Sequence, residues 1–418
     1  VILPAQFPDE KPGPPAGRQR DEAIEGLRVA AALAVLYAHL TSPFPVLDPN
    51  YVPSAVFWRF EAAVPAVMIF FLISGYVIGL AHRDPPSAAD VGKYLRRRAL
   101  RLLPAYFAAV LLGWFAVRGP SFRDLVGNFF FLQNAAPGNP FHIQLLNGNP
   151  NLWSLHYEVV YYLGFLLLWR LRPPLVPILL LLFFAGALGA LVHGFSLWAA
   201  WLGCGGVLWV LGLGVAWHAP AVPAATRAPW PSALLLGLAT WQLHALHILL
   251  ARIGHPIAWL PGITFDYLDT LPVLFWLFLL VTRRTRWRQS AECAAWILPI
   301  AYLGWRACRG TMPATSPAFT GAALTILALA LRSWKPSLAP FQRLAPLGAA
   351  SYGLYAFGGP VQAFIHGLWP NWSGTMWSYG LRALLDLALL VLLAVLFERL
   401  LQPRIRNLFT WDRPAAVS

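Results

Sequence analysis

Four polar residues in a very apolar chain have the chemistry to move a proton or to hold an anion. His39 stands about 15 residues into an apolar run that begins near Ile24, roughly 22 Å along a helix. Imidazole titrates near neutrality, which suits it to general-base work. Glu158 closes the string Asn151-Leu152-Trp153-Ser154-Leu155-His156-Tyr157-Glu158. A carboxylate entering an apolar segment must be paired or protonated, and beside His39 it would orient the base. The duller readings are an interfacial histidine and a glutamate favoured by a helix dipole. Those readings do not explain why both residues are expected near the same outer face. Arg98 and Arg101 are three apart in Arg96-Arg97-Arg98-Ala99-Leu100-Arg101-Leu102-Leu103-Pro104, so they share a helix face. Two guanidiniums on one face suit a phosphate-bearing ligand, although arginines at a helix end also serve topology or lipid headgroups. Ser74 and Ser154 are conceivable nucleophiles without an evident local base.

The elements that must position these groups are membrane helices. Only 11% of the 418 residues are charged and 58% are hydrophobic, with a mean hydropathy of +0.58. A soluble domain carries about 25% charged residues, and disorder requires far less apolar content. The expected fold is an all-α polytopic membrane protein of about 10–12 transmembrane helices. Twelve apolar segments are long enough to be considered: 24–41, 57–81, 97–117, 155–169, 173–192, 196–217, 230–250, 260–282, 290–308, 316–331, 345–367 and 375–400. The ninth is weakened by Glu292 and Arg306, and the fourth is short.

The 31 basic residues outnumber the 17 acidic ones, which raises nucleic-acid binding as a reading. Sorting them by connection removes it. Twenty-three of the 31 fall in one alternating set of connections and four (Arg118, Arg123, Arg252, Arg309) in the other. That asymmetry is the positive-inside pattern, and it places both termini in the cytoplasm of a multi-pass plasma membrane protein, the bacterial inner membrane. Residues 1–22 are expected to be a disordered Pro-rich tail, not a cleavable signal, because no apolar core follows the start at once. Residues 23–402 would form the transmembrane domain and 403–418 a basic tail.

The remaining intramembrane polar groups read as structural. Glu25 with Arg28, and Arg382 with Asp386, are spaced to pair within their own helices. His244 and His247 have no second pair with which to build a metal or haem site. Cys204, Cys293 and Cys308 match no zinc spacing and read as small buried hydrophobes. No metal and no permanently bound cofactor is expected.

These motifs together resemble the acyltransferase-3 family of integral membrane acyltransferases. Glu25-Gly26-Leu27-Arg28 running on to His39 looks like the family's opening span, and Phe70-Phe71-Leu72-Ile73-Ser74-Gly75-Tyr76 resembles its second-span motif. Arg98-x-x-Arg101 is similar to the family's Arg-x-x-Arg, Trp153-Ser154-Leu155-x-x-Glu158 to its Trp-Ser-Leu-x-x-Glu, and Ser351-Tyr352-x-Leu354-Tyr355 to its late Ser-Tyr motif. The chain departs in having Glu25 where Asp is usual and Val29 after the arginine. Gly358-Gly359-Pro360 stands where a histidine is often found, and His366 is too displaced to replace it.

The resemblance implies transfer of an acyl group, commonly acetyl, from acyl-CoA to a hydroxyl of a cell-surface or exported glycan or of a secondary metabolite. Arg98 and Arg101 would hold the phosphates of acyl-CoA, the co-substrate. His39, oriented by Glu158, would take the acceptor's proton beneath the loop 118–154, with Arg28, Ser74, Trp153, Ser154, Ser351 and Tyr352 in support. Direct attack is preferred over an acyl-enzyme. The partners expected are acyl-CoA, a hydroxylated acceptor and membrane lipids, with no nucleic acid. A transporter or flippase of a glycan or lipid-linked intermediate is the rival class, but the two halves do not match. A membrane glycosyltransferase is a third, but the first outer loop holds only Asp48 where paired acids would be wanted.

Overall fold

The computed structural model describes residues 21–42, 46–58, 60–116, 121–133, 141–146, 149–191, 197–219, 226–246, 248, 263–310 and 316–409. Among the described residues, twelve helices of 14 residues or more dominate: α1 (Glu22–Thr41), α2 (Ala63–Ala81), α3 (Ala88–Ala116), α4 (Trp153–Leu171), α5 (Leu175–Leu191), α6 (Leu197–His218), α7 (Trp230–Leu243), α8 (Ile263–Val281), α9 (Arg288–Arg309), α10 (Pro317–Ala330), α11 (Ser351–Leu368) and α12 (Met376–Val395). Each overlies one of the twelve apolar segments. Among the described residues there is no strand, only the isolated bridges Gln133–Ile143 and Arg227–Ser337. An all-helical answer is what lipid demands, because a helix satisfies its own backbone. Among the described residues, five stretches are long and apolar enough to cross a bilayer: α1, α2, α3, Trp201–His218 within α6, and α12 with its continuation to Leu408. The protein is a polytopic, all-α membrane protein.

Small residues let the central helices touch. An added Cβ on Gly75 of α2 would lie 1.9 Å from the Trp209 carbonyl oxygen of α6, and one on Gly212 of α6 would lie 2.1 Å from that of Leu72. Such close backbone approach is how membrane helices associate where water supplies no driving force. The outward faces stay apolar: Val176, Leu181 and Phe184 on α5 and Leu384 on α12 are all exposed.

Helix α1, which carries several motif residues, is fixed at its start. The Asp21 side chain accepts from the Ala23 amide at 3.1 Å and from Arg283 at 2.9 Å. Gly26 packs against the short helix Ala339–Leu344, where an added Cβ would fall 1.7 Å from the Phe341 carbonyl oxygen. Gly26→Ala is therefore expected to force backbone apart and destabilise the protein by about 1–3 kcal/mol or more. The readout is the thermal unfolding midpoint of purified protein, and an unchanged midpoint would contradict the close contact.

Two expectations need correction. Arg382 does not pair with Asp386. Its guanidinium donates to the carbonyls of Leu47 at 2.8 Å, Trp372 at 2.5 Å and Trp369, while Asp386 accepts from Gln362 at 3.3 Å. Helical side chains lean toward the N-terminus, so the long arginine is carried into the turn before α12 and away from the acid one turn behind it. The cysteines also divide: Cys204 is buried, whereas Cys293 and Cys308 are exposed on α9. Residues 1–20, 410–418 and His247 lie outside the described residues, and with them most of the expected tails. Part of the segment expected as a basic tail is the helix Gln402–Phe409.

Candidate functional site

A cavity of about 380 Å³ opens between α1, α2, α3, α4 and α11. Its polar lining is Glu25, Arg28, Ser74, Arg98, Arg101, Ser154, Glu158, Tyr162, Ser351, Tyr352, Tyr355 and Glu398. Motif residues scattered over more than 300 positions thus converge on one space. Of the residues expected at the site, His39 and Trp153 are absent from the lining; Trp153 instead packs on Trp201 with ring centroids 5.3 Å apart.

The arginines divide by what engages them. Arg28 is a strut: its Nε donates to Ser351 Oγ at 3.0 Å, and its Nη2 to the Gly348 carbonyl at 2.6 Å and to Glu25. These bonds join α1 to the start of α11. Arg98 is different. Its guanidinium carbon lies 5.8 Å from the ring centres of both Tyr94 and Tyr162. Its Nε is buried without a hydrogen-bond partner. Arg101 stands one turn further along α3, exposed at the cavity; its backbone carbonyl accepts from Gln402 at 3.1 Å, and its charge acts on Glu398. Two guanidiniums that face one cavity and make no hydrogen bond to a described residue are prepared for an anion.

Glu158 is held by hydroxyls. Its Oε1 accepts from Ser74 Oγ at 3.2 Å and from Tyr162 Oη at 2.5 Å. Ser74 in turn accepts from Trp209 Nε1 at 3.3 Å, so the second-span motif and the Trp-Ser-Leu-x-x-Glu motif share one network. Ser154 sits in another. Tyr355 Oη donates to the Asn151 carbonyl at 2.7 Å, and Ser154 Oγ lies 2.6 Å from that phenol oxygen. A phenol has one proton, so Ser154 donates to Tyr355 and its own hydrogen is committed. This disfavours Ser154 as a nucleophile. Tyr352 ties α11 to α3 by donating to the Leu102 carbonyl at 3.3 Å.

His39 and Glu158 share no hydrogen bond, and His39 does not line the cavity that Glu158 lines. His39 is half-buried on α1 and has no hydrogen bond to a described residue. Eleven residues separate it from Arg28, which is about three turns and about 16 Å along the axis. Three whole turns return to the same side, so His39 stands above Arg28 on the face of α1 that meets the cavity.

The segment between α3 and α4 also differs from a covering loop. Part of it turns into the bundle, with Asn128, Gln133, Asn149 and Asn151 all buried, while Phe122, Phe130 and Phe141 stay exposed. Asn149 and Asn151 donate to the carbonyls of Ala356 and Tyr355, each at 2.9 Å, and Gln133 donates to that of Leu152 at 3.1 Å. Non-helical backbone is tolerated at such depth only where protein satisfies it, and these amides do so. They set the height at which α4 begins, and hence that of Ser154 and Glu158.

Glu398 was missed by motif reading. It lies on the π-helical turn Leu396–Leu401 that follows α12 and lines the cavity beside Arg101 and Arg28. An acid inside an apolar segment is itself a signal of function, and π turns gather at functional sites; both could have found it. Tyr162 and Tyr94 carried no such signal, since tyrosines are common among apolar helices.

Comparison with known proteins decides the class. Residues 21–399 match the acyltransferase domain that defines a family of membrane acyltransferases. The chain belongs to the acyltransferase-3 family. Within it, the acyltransferase MdmB of Streptomyces mycarofaciens is 29% identical over 158 residues, which cover 36% of this chain and 39% of that protein. The chain therefore spans well under half the length of that relative in the matched region. No solved structure matches. Acyl transfer by a member of this family would need a donor site, an acceptor site and a path between them, and the cavity is a candidate for the first.

Proposed function

We propose that this acyltransferase moves an acyl group, acetyl in the simplest case, from acyl-CoA to a hydroxyl of a cell-surface or exported glycan. The observation that carries the reading is the pair Arg98 and Arg101, whose guanidiniums face a shared cavity and make no hydrogen bond to a described residue. The phosphates of acyl-CoA would lie there, on the side that the charge asymmetry assigns to the cytoplasm. The pantetheine arm would then run along the face of α1 from Arg28 toward His39. His39 takes the proton from the acceptor hydroxyl as that oxygen attacks the thioester carbonyl, and the thiolate of CoA departs. Glu158, held by Ser74 and Tyr162, stands in the wall that the arm must pass, and orients His39 when the two approach with donor bound. Direct attack remains the preferred route.

Membranes containing the protein, incubated with radiolabelled acetyl-CoA and an exported glycan fraction, should release CoA and label the glycan. Release of CoA without acceptor, or no release with any acyl-CoA, would overturn the reading.

A further inference from the structure

A second cavity, about 210 Å³, lies at the ends of three helices and is lined by Arg83, Arg172, Pro173, Trp217 and His218. No carboxylate lines it; Asp84, whose charge acts on Arg172, stands outside the lining. Arg172 occupies the turn between α4 and α5 in the left-handed conformation, with φ of 49°. Its Nη2 donates to the His82 carbonyl at 3.2 Å and to that of Arg83. The guanidinium lies 4.2 Å above the Trp217 ring centre. Arg286 donates to the His218 carbonyl at 2.8 Å, adding a further cation close by.

Two donors are left over. Arg172 Nε and Trp217 Nε1 are both buried, and neither has a hydrogen-bond partner. Buried N–H groups are rarely left unpaired, and two belonging to one small cavity point to an acceptor-rich ligand. Guanidinium forks and an indole N–H, with no acid among the lining residues, select an oxyanion such as phosphate. The surroundings indicate where that phosphate comes from. Leu171 and Val176, on either side of Arg172 and Pro173, are 70% and 65% exposed, and Leu180, Leu181 and Phe184 continue the apolar surface along α5. An apolar flank running away from a cationic pocket at the helix ends is the layout of a lipid tail below its headgroup.

We propose that this pocket holds the phosphate of an anionic membrane lipid, whose chains lie along α5. The site is separate from the donor cavity and does not depend on the reading of that cavity. The test uses purified full-length protein and native mass spectrometry with short-chain phosphatidylglycerol, short-chain phosphatidylcholine and inorganic phosphate. Arg83→Gln removes an exposed cation, and Trp217→Phe removes the indole N–H while keeping a ring beneath Arg172. Phosphatidylglycerol should bind more tightly than phosphatidylcholine, and each substitution should weaken it by at least about 10-fold, with no change in the melting temperature of lipid-free protein. Equal retention of the two lipids, or anionic lipid unaffected by both substitutions, would overturn the proposal. Inorganic phosphate binding as tightly as the lipid would also overturn it, since the site would then be one for free phosphate. Should Trp217→Phe unfold the protein, Arg83→Gln alone decides the matter.

Discussion

His39→Ala is expected to lower the rate of acyl transfer by about 10²–10⁴, the range that a positioned general base supplies. Donor binding should be nearly unchanged, because His39 does not line the cavity in which Arg98 and Arg101 stand. The variant should also fold: the imidazole makes no hydrogen bond to a described residue, so its removal orphans no partner. The decisive comparison is turnover at saturating acetyl-CoA beside the dissociation constant for CoA. A normal turnover number would remove His39 from the chemistry. Loss of CoA affinity with turnover preserved would mean that the residue belongs to the donor's binding surface.

The second large effect concerns the donor end. Arg98→Ala and Arg101→Ala should each weaken acyl-CoA binding by about 10- to 100-fold, since a hydrogen bond to a charged group is worth about 1.5–3 kcal/mol. Arg98→Lys should recover little of the loss. A lysine cannot present a planar fork, and the guanidinium of Arg98 is placed between the rings of Tyr94 and Tyr162, 5.8 Å from each. Arg28→Ala should behave differently. Its bonds to Ser351 and Gly348 join two helices, so its loss should lower the melting temperature as well as activity. Titration of CoA by isothermal calorimetry on the three variants separates the roles. If Arg98→Ala bound CoA normally and affected only acceptor use, the phosphate assignment would be wrong.

Much of this protein was legible before any contact was known. A bilayer-spanning helix is a local property: about 20 apolar residues in a row suffice, and each of the twelve segments holds a helix among its described residues, five of them long and apolar enough to span. The relation between Arg98 and Arg101 was equally local, because a three-residue step on a helix keeps two side chains on one side. Local reasoning failed where reach mattered. Arg382 and Asp386 have the spacing of a pair, yet the arginine serves three carbonyls in the preceding turn and loop, since its long side chain leans away from the acid. The segment before α4 was expected as a loop over the site, with no role given to its Asn and Gln residues. Buried, those same amides satisfy carbonyls and lower the start of α4 into the bundle.

The sequence by itself determined the class of the molecule, an all-helical polytopic membrane protein, and the residue types able to bind a phosphate or take a proton. Tertiary structure alone decided which of those residues meet. Arg28 and Ser351 are 323 positions apart, and Ser74 and Glu158 are 84 apart. No periodicity connects such positions; only the packing of α1 on α11, and the approach of α2 to α4, brings them together. That packing made Arg28 a strut, gave Glu158 to Ser74 and Tyr162, and turned Glu398 into the cavity. It left His39 three turns above Arg28, because a straight helix fixes the distance between two residues whatever chemistry they share.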